Sequence, residues 1–398
     1  MVEFRLPLGL TTRRASFLVG LIYIIRNKEI AKYLYNKCIS DRKITIFIIL
    51  ILFCTVLSMV NVTFANYSPS VQYIDWYGYI YFFLYLFIFG MFCVIAYGDS
   101  KKFMLSWSSV MVIQSIIILY SLTNPALREF LYNYCYTGDD RLEKQMESGT
   151  RLMGIGIHSS MGSMVMATAC IMLIYLKIRK SISNYLFIIY YLLIFAATLF
   201  VGRTGMLVEL FALFAFIFLD KNFKRNIVIF SILSFVLVAL VSVLLSSLDE
   251  AVAESLYGWF TLTSEHGGVE GTVSGIARKG WPPFHSDLVF GTGIYVGYQY
   301  NGVIYDPDSG LMKMYIAIGV VGFICYYLAM YYLLSSPNHK YSKVSSRYFL
   351  ILFIIAYSIE YKEPYFWYYL FPWAIFTIRL FDSYEAYKLN VNNKLVKL

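Results

Sequence analysis

Charge is scarce in this chain. Asp, Glu, Lys and Arg supply 14% of its 398 residues, where soluble chains carry about a quarter, so a water-soluble globular domain is excluded. Histidine is scarcer still, at four residues, and His-based metal spacing is missing; no metal and no cofactor are expected. The six cysteines add little. Cys54, Cys93, Cys170 and Cys325 lie in apolar runs, Cys38 precedes the first run, and Cys135 stands alone in a polar stretch, so no disulfide framework is implied. The chain also lacks a P-loop, a dinucleotide fingerprint and a Gly-x-Ser-x-Gly elbow. Internal repeats and low-complexity tracts are absent.

What is abundant is apolar sequence: 59% hydrophobic, 19% aromatic, with a mean hydropathy of +0.63. Runs near the roughly 20 residues that cross a bilayer as a helix fall at about 44–62, 76–97, 103–121, 152–176, 183–201, 204–219, 226–246, 311–334, 347–361 and 365–380. The expected fold class is an all-α polytopic integral membrane protein with about ten transmembrane helices, a single transmembrane domain over 1–398. The last two runs are separated only by Lys362-Glu363-Pro364 and fit a re-entrant hairpin equally well. Tyr and Trp near run ends, as in Asp75-Trp76-Tyr77 and Tyr365-Phe366-Trp367-Tyr368-Tyr369, suit interfacial belts.

The net charge of +9 is a matter of topology. Nine of the 33 Lys and Arg precede Ile44, and further ones fall at 101–102, 177–180, 221–225, 340–347 and 379–397. These segments alternate with the others along the chain, as the positive-inside rule requires. The distribution argues against a nucleic-acid partner and places both termini in the cytoplasm. Residues 1–43 form a cytoplasmic N-terminus, with an amphipathic helix over roughly Thr12 to Tyr35 on the inner face, and 381–398 a cytoplasmic tail. Two long loops then face outward: 122–150, of mixed charge, and 247–310. A structureless loop of about sixty residues is unusual unless it is functional or carries short helices. Glu250 to Phe260 is a candidate for one.

Four stretches carry chemistry. Gly202-Arg203-Thr204-Gly205 joins two spans with almost no loop. An Arg there either snorkels to headgroups, pairs with Glu209, or binds phosphate oxygens through its fork. Arg151 opens the fourth span two turns from His158, where an anchor and a core histidine are the plain alternatives. Ser274-Gly275-Ile276-Ala277-Arg278-Lys279-Gly280-Trp281 lies in the long loop; its basic pair is either solvated or, beside an indole able to stack on a sugar, part of a binding site. Asp306-Pro307-Asp308 is a weak match to a divalent-metal pair, and Asp308 or Ser309 is equally a helix N-cap. Glu209 and Lys313 are the charges nearest mid-membrane.

In order and spacing these stretches resemble the O-antigen polymerase (Wzy) and ligase superfamily. The resemblance covers residues 151–325. It rests on Arg151-x-x-Gly154, Gly202-Arg203-Thr204-Gly205, Ser274-Gly275 ahead of Arg278 and Trp281, Gly291-Thr292-Gly293, and a polar pair eleven residues before Gly319-x-x-Gly322. It implies a GT-C-like glycosyltransferase fold in the bacterial inner (cytoplasmic) membrane, with undecaprenyl-pyrophosphate-linked oligosaccharides as donor and acceptor. A chain-length regulator is a candidate partner.

Ligases of this superfamily carry a His-Asn pair where this chain has Asp308-Ser309, which favours the polymerase. By this resemblance Arg203, Arg278 and Arg151 would hold the leaving pyrophosphate, and Trp281 and Lys279 the sugars. Asp308, or else His285, would take the acceptor proton. The alternatives are a ligase moving finished polymer to lipid A-core and a transporter of lipid-linked sugars. A transporter would show inverted repeats, broken helices and deep charges.

Overall fold

The computed structural model describes residues 12–65, 72–74, 76–135, 152–155, 159–219, 223–246, 281–305, 309–334, 376–385 and 387–388. They are mostly helical: α1 (Thr12–Arg26), α2 (Lys28–Ser40), α3 (Arg42–Phe64), α4 (Trp76–Tyr97), α5 (Ser100–Thr123), α6 (Pro125–Cys135), α7 (Ser159–Ile178), α8 (Asn184–Val201), α9 (Arg203–Leu219), α10 (Phe223–Ser246), α11 (Asp287–Phe290) and α12 (Gly310–Leu334). Residues 376–385 are helical as well. Four of these helices, α3, α5, α8 and α12, are long and apolar enough to cross a bilayer. The chain is an α-helical membrane protein. The expected spans at 347–361 and most of 365–380 lie outside the described residues.

Several boundaries differ from expectation, each for a local reason. The single N-terminal helix is two helices, broken at Asn27 (φ −112°, ψ 41°), whose side chain bonds back to the Tyr23 carbonyl. The polar loop 122–150 contains α6, begun by Pro125 at a position where a missing N–H costs nothing, with Asn124 Oδ1 accepting from the Leu127 amide at 3.1 Å. The segment 381–385 continues the helix that includes 376–380. The chain is also not purely helical. β1 (Gln72–Tyr73) pairs antiparallel with β2 (Ile294–Val296), and β3 (Tyr298–Tyr300) with β4 (Val303–Tyr305).

The fourth expected span starts late. Residues 152–155 are not helical, and the next described helix, α7, runs from Ser159. Gln114 of α5 grips this strip as a strand would. Its Oε1 accepts from the Ile155 amide at 2.9 Å, and its Nε2 donates to the Ile155 carbonyl at 3.2 Å. Leu152 N–H donates to the Phe200 carbonyl at 2.9 Å, satisfying a carbonyl that the end of α8 leaves open. Gly154 permits this, since a Cβ there would stand 2.5 Å from Gln114 Oε1. Arg151, expected to open this span, lies outside the described residues.

The chain packs as two compact units. In the unit built from 1–20 and 99–271, α7 is enclosed almost all round from Met164 to Lys177. It meets α9 through a small-residue contact of the kind that lets backbones close up in a membrane. A Cβ on Gly205 would lie 2.2 Å from the Ser163 carbonyl oxygen, and the Gly205 amide donates to Ser163 Oγ at 3.0 Å.

In the unit built from 21–98 and 272–398, α3 and α12 run antiparallel. Cys54 Sγ lies 3.6 Å from the Gly322 carbonyl, while Asn61, further along α3, reaches back to Ala317. Gly90 of α4 admits the 376–385 helix, where Phe87 and Phe376 pack with ring centroids 4.9 Å apart.

Candidate functional site

α12 is interrupted at Gly319, where φ 68° and ψ −177° leave the helical region. That pair of angles is open essentially to glycine alone. The interruption frees the Ile316 and Ala317 carbonyls inside an apolar run, where unpaired polar groups are costly. The loop after α11 supplies their partners. Thr292 N–H and Oγ1 donate to Ile316 at 2.9 and 3.1 Å, and Gly293 N–H donates to Ala317 at 3.0 Å. Asn61 of α3 completes the joint, donating to Phe290 at 2.7 Å and Ala317 at 3.3 Å. The Gly291-Thr292-Gly293 motif is thus a backbone clip that locks the loop to the first half of α12.

On that clip stands an aromatic shelf. β3 and β4 turn through Asn301 (φ 50°) and Gly302 (φ 78°), the two positive-φ positions of a tight hairpin. Tyr298, Met312 and Ile316 form a small buried core, with Ile294, Tyr300, Tyr305 and Tyr315 around it. His285 lies flat on Tyr300, with centroids 4.2 Å apart and planes 1° from parallel. Its Nε2 meets the Tyr298 hydroxyl at 2.6 Å, and its Nδ1 is 3.7 Å from Asp287 Oδ2. A carboxylate on the Nδ1 side favours the proton there, leaving Nε2 to accept from Tyr298. Trp281 packs against Tyr315 at 5.2 Å yet keeps 47% of its surface exposed. Lys313, in the first turn of α12, sits over the Tyr295 ring at 5.3 Å.

This arrangement can do two things chemically. An exposed indole beside stacked phenols offers flat apolar faces next to polar edges, a surface suited to a sugar ring. The Asp287–His285–Tyr298 line can hold a defined imidazole tautomer. Burial pushes the Tyr298 phenol up to about 12, helped by the Asp287 charge and by the neighbouring Tyr300, Tyr305 and Tyr315, so the phenol remains a donor at neutral pH.

Two of the expected site residues, His285 and Trp281, are brought onto one shelf. Arg203 is the first residue of α9, as the tight Gly202–Gly205 corner suggests, but its side chain lies outside the described residues. Arg151, Arg278, Lys279 and Asp308 lie outside them too, as do His158, Asp306 and 250–260. Ser309 is buried, and its Oγ has no hydrogen-bond partner among the described residues, so the hydroxyl does not cap α12. Glu209 is wholly buried and meets Thr198. Among the described residues no group of three or more His, Cys, Asp and Glu gathers as a metal site would require.

Fold and site together define a helical membrane protein with an aromatic, histidine-bearing shelf on an interrupted helix. No family model matches the chain, and no curated protein or solved structure does.

Proposed function

We propose that this protein is a surface-polysaccharide polymerase of the O-antigen type. It would be an inverting glycosyltransferase that joins undecaprenyl-pyrophosphate-linked repeat units on the outer face of the bacterial inner membrane. One observation carries the reading: the shelf of Trp281, His285 and Tyr300 is fastened to a membrane helix by the glycine clip. Sugars would lie on the shelf while polyprenyl tails lie among the helices. The ten-span, GT-C-like topology with cytoplasmic termini belongs to this proposal.

The chemistry follows from where the reaction occurs. No nucleotide sugar is available outside the cytoplasm, so the leaving group travels with the donor as a lipid pyrophosphate. Its developing charge calls for preorganised cations, a role for Arg203 and Arg278 with Arg151 as a third. The acceptor hydroxyl loses its proton to a base as it attacks the anomeric carbon. The Tyr298 hydroxyl occupies Nε2 of His285, which favours Asp308 as base and His285 as an orienting group.

The test uses purified protein and lipid-linked repeat units, with products resolved on a ladder gel. Arg203→Ala and Arg278→Ala are each expected to abolish elongation while the protein stays in the membrane. Lys at either site rescues only in part, because an ammonium cannot make the fork contact. Undiminished polymer from both Ala variants refutes the pyrophosphate role. Supplying lipid A-core acceptor separates a ligase, which moves chains without lengthening them.

A second reading, a transporter of lipid-linked sugars, draws on two observations. α12 is broken at Gly319, and Glu209 is buried within the helices; both are features of transport pathways. Proteoliposomes loaded on one side with a labelled lipid-linked repeat distinguish them. Polymer without translocation supports the polymerase, and translocation without polymer the transporter.

A further inference from the structure

The carboxyl of Glu209 lies between α7, α8 and α9, with none of its surface exposed. Its Oε1 is 2.9 Å from Thr198 Oγ1, and the same Oγ1 is 2.8 Å from the Ile194 carbonyl. A threonine hydroxyl has one hydrogen. A backbone carbonyl can only accept, and a hydroxyl on a helix one turn on bonds back to it in the usual way. If the Thr198 hydrogen serves Ile194, its oxygen turns a lone pair toward Oε1. In that arrangement Oε1 supplies the hydrogen; in the other, Thr198 donates to Oε1.

The surroundings agree. Among the described residues, the titratable groups that meet Glu209 are the Cys170 thiol from α7, which hydrogen-bonds the carboxyl, and the Tyr191 phenol from α8, neither a cation. Tyr191 donates to the Glu209 backbone carbonyl at 2.5 Å. Oε2 has no hydrogen-bond partner among the described residues. α10, also packed on α9, brings no titratable group to the carboxyl among them. A carboxylate sealed in such a place, with one oxygen unpartnered and no cation beside it among the described residues, would cost far more than a neutral acid.

We infer that Glu209 is a proton-binding site, held as a neutral carboxylic acid that shares the Thr198 hydroxyl. The site touches the corner singled out in the sequence. The Thr198 backbone carbonyl accepts the Gly202 amide at 3.0 Å, and the Gly205 amide bonds to Ser163 on α7. Proton loss would place an unmatched charge beside the Gly202–Gly205 turn. The inference stands whichever activity the protein has.

Infrared difference spectroscopy on the full-length protein in nanodiscs tests it, comparing wild type with Glu209→Gln at neutral pH. The expected result is a carbonyl band of a protonated carboxylic acid in wild type that is lost in the variant. Gln reproduces the shape, the neutrality and the donor, so its melting temperature should match wild type. A difference spectrum showing only lost carboxylate stretches overturns the inference. Failure of Glu209→Gln to assemble in the membrane overturns it too, because a neutral donor would then not suffice. Glu209→Ala controls for loss of the side chain, and a melting point well below that of Gln is expected.

Discussion

Gly319 and Gly291 touch backbone to backbone: a Cβ built on Gly319 would stand 2.3 Å from the Gly291 amide nitrogen, and one on Gly291 would stand 2.4 Å from the Gly319 nitrogen. Each glycine exists for the other. Their contact lets the loop supply donors to the carbonyls that the broken helix leaves open, and so fixes the aromatic shelf on α12.

Gly319→Ala should therefore be among the most damaging small substitutions in the chain. The backbone strain alone costs about 1–3 kcal/mol, and the clash with the Phe290 and Gly291 backbone adds to it. Gly302→Ala is the control. It also carries positive φ, at 78°, but nothing lies within 4 Å of its added Cβ, so only the local strain remains. Thermal unfolding in nanodiscs should rank Gly319→Ala well below Gly302→Ala. Equal melting points would mean that the clip is not a structural joint.

A second joint lies at the other end of α12. Arg379, only 4% exposed, donates through Nη1 to the Tyr332 and Leu333 carbonyls at 3.1 and 2.7 Å, and through Nη2 to Asp41 Oδ2 at 2.9 Å. Asp41 also caps α3, accepting from the Lys43 amide at 2.9 Å. One guanidinium thus closes the C-terminus of α12 and ties it to the start of α3. Arg379→Ala should destabilise by about 3 kcal/mol, the scale for removing one partner of a buried pair. Arg379→Lys should recover little, since a point charge cannot span carbonyls and carboxylate together. A melting temperature unchanged in Arg379→Ala would remove this joint from the account.

Much of the helical frame was legible because an apolar run of span length has few other fates. The 76–97 run forms α4 over the same residues, and 311–334 forms α12 to within one residue. The interruption at Gly319 was not legible. Glycine inside an apolar run reads as a packing residue, and its φ depends on a loop nearly thirty residues earlier in the chain. The strip at 152–155 was hidden likewise, since it is held by a side chain, Gln114, that carries no local sequence signal. At the site, His285 and Trp281 stood out as rare residue types. Tyr298, Tyr300 and Tyr315 did not, because 37 tyrosines offer no contrast. Asn301-Gly302 between alternating tyrosines was the missed signal: it is a strong short-range hairpin marker.

The Tyr298 phenol gives a pH signature. Its folded-state value, about 12, lies above the ordinary 10, so folding favours the protonated form. The stabilisation is whole below pH 10 and is lost as pH rises through 12. Phenolate absorbance titrations, taken as wild type minus Tyr298→Phe, should show one tyrosine ionising late. Asp287→Asn removes a negative neighbour and should lower that midpoint toward the ordinary value. Tyr298→Phe also leaves His285 Nε2 without its donor, at a cost of about 1–3 kcal/mol. A midpoint that stays put in Asp287→Asn would show that the carboxylate does not sense the phenol.

Trp281 tests whether the shelf binds sugar. Its ring is anchored on one side by Tyr315 and exposed for nearly half its surface, so removing it should leave the fold almost untouched. If the exposed face carries a sugar away from the reacting bond, its contribution is the same in the ground and transition states. Trp281→Ala should then raise KM for the lipid-linked repeat several-fold while sparing kcat. Trp281→Tyr, which keeps a flat ring of smaller area, should fall between. A fall in kcat at unchanged KM would instead move Trp281 next to the chemistry, and no change in either would leave the shelf without a role in recognition.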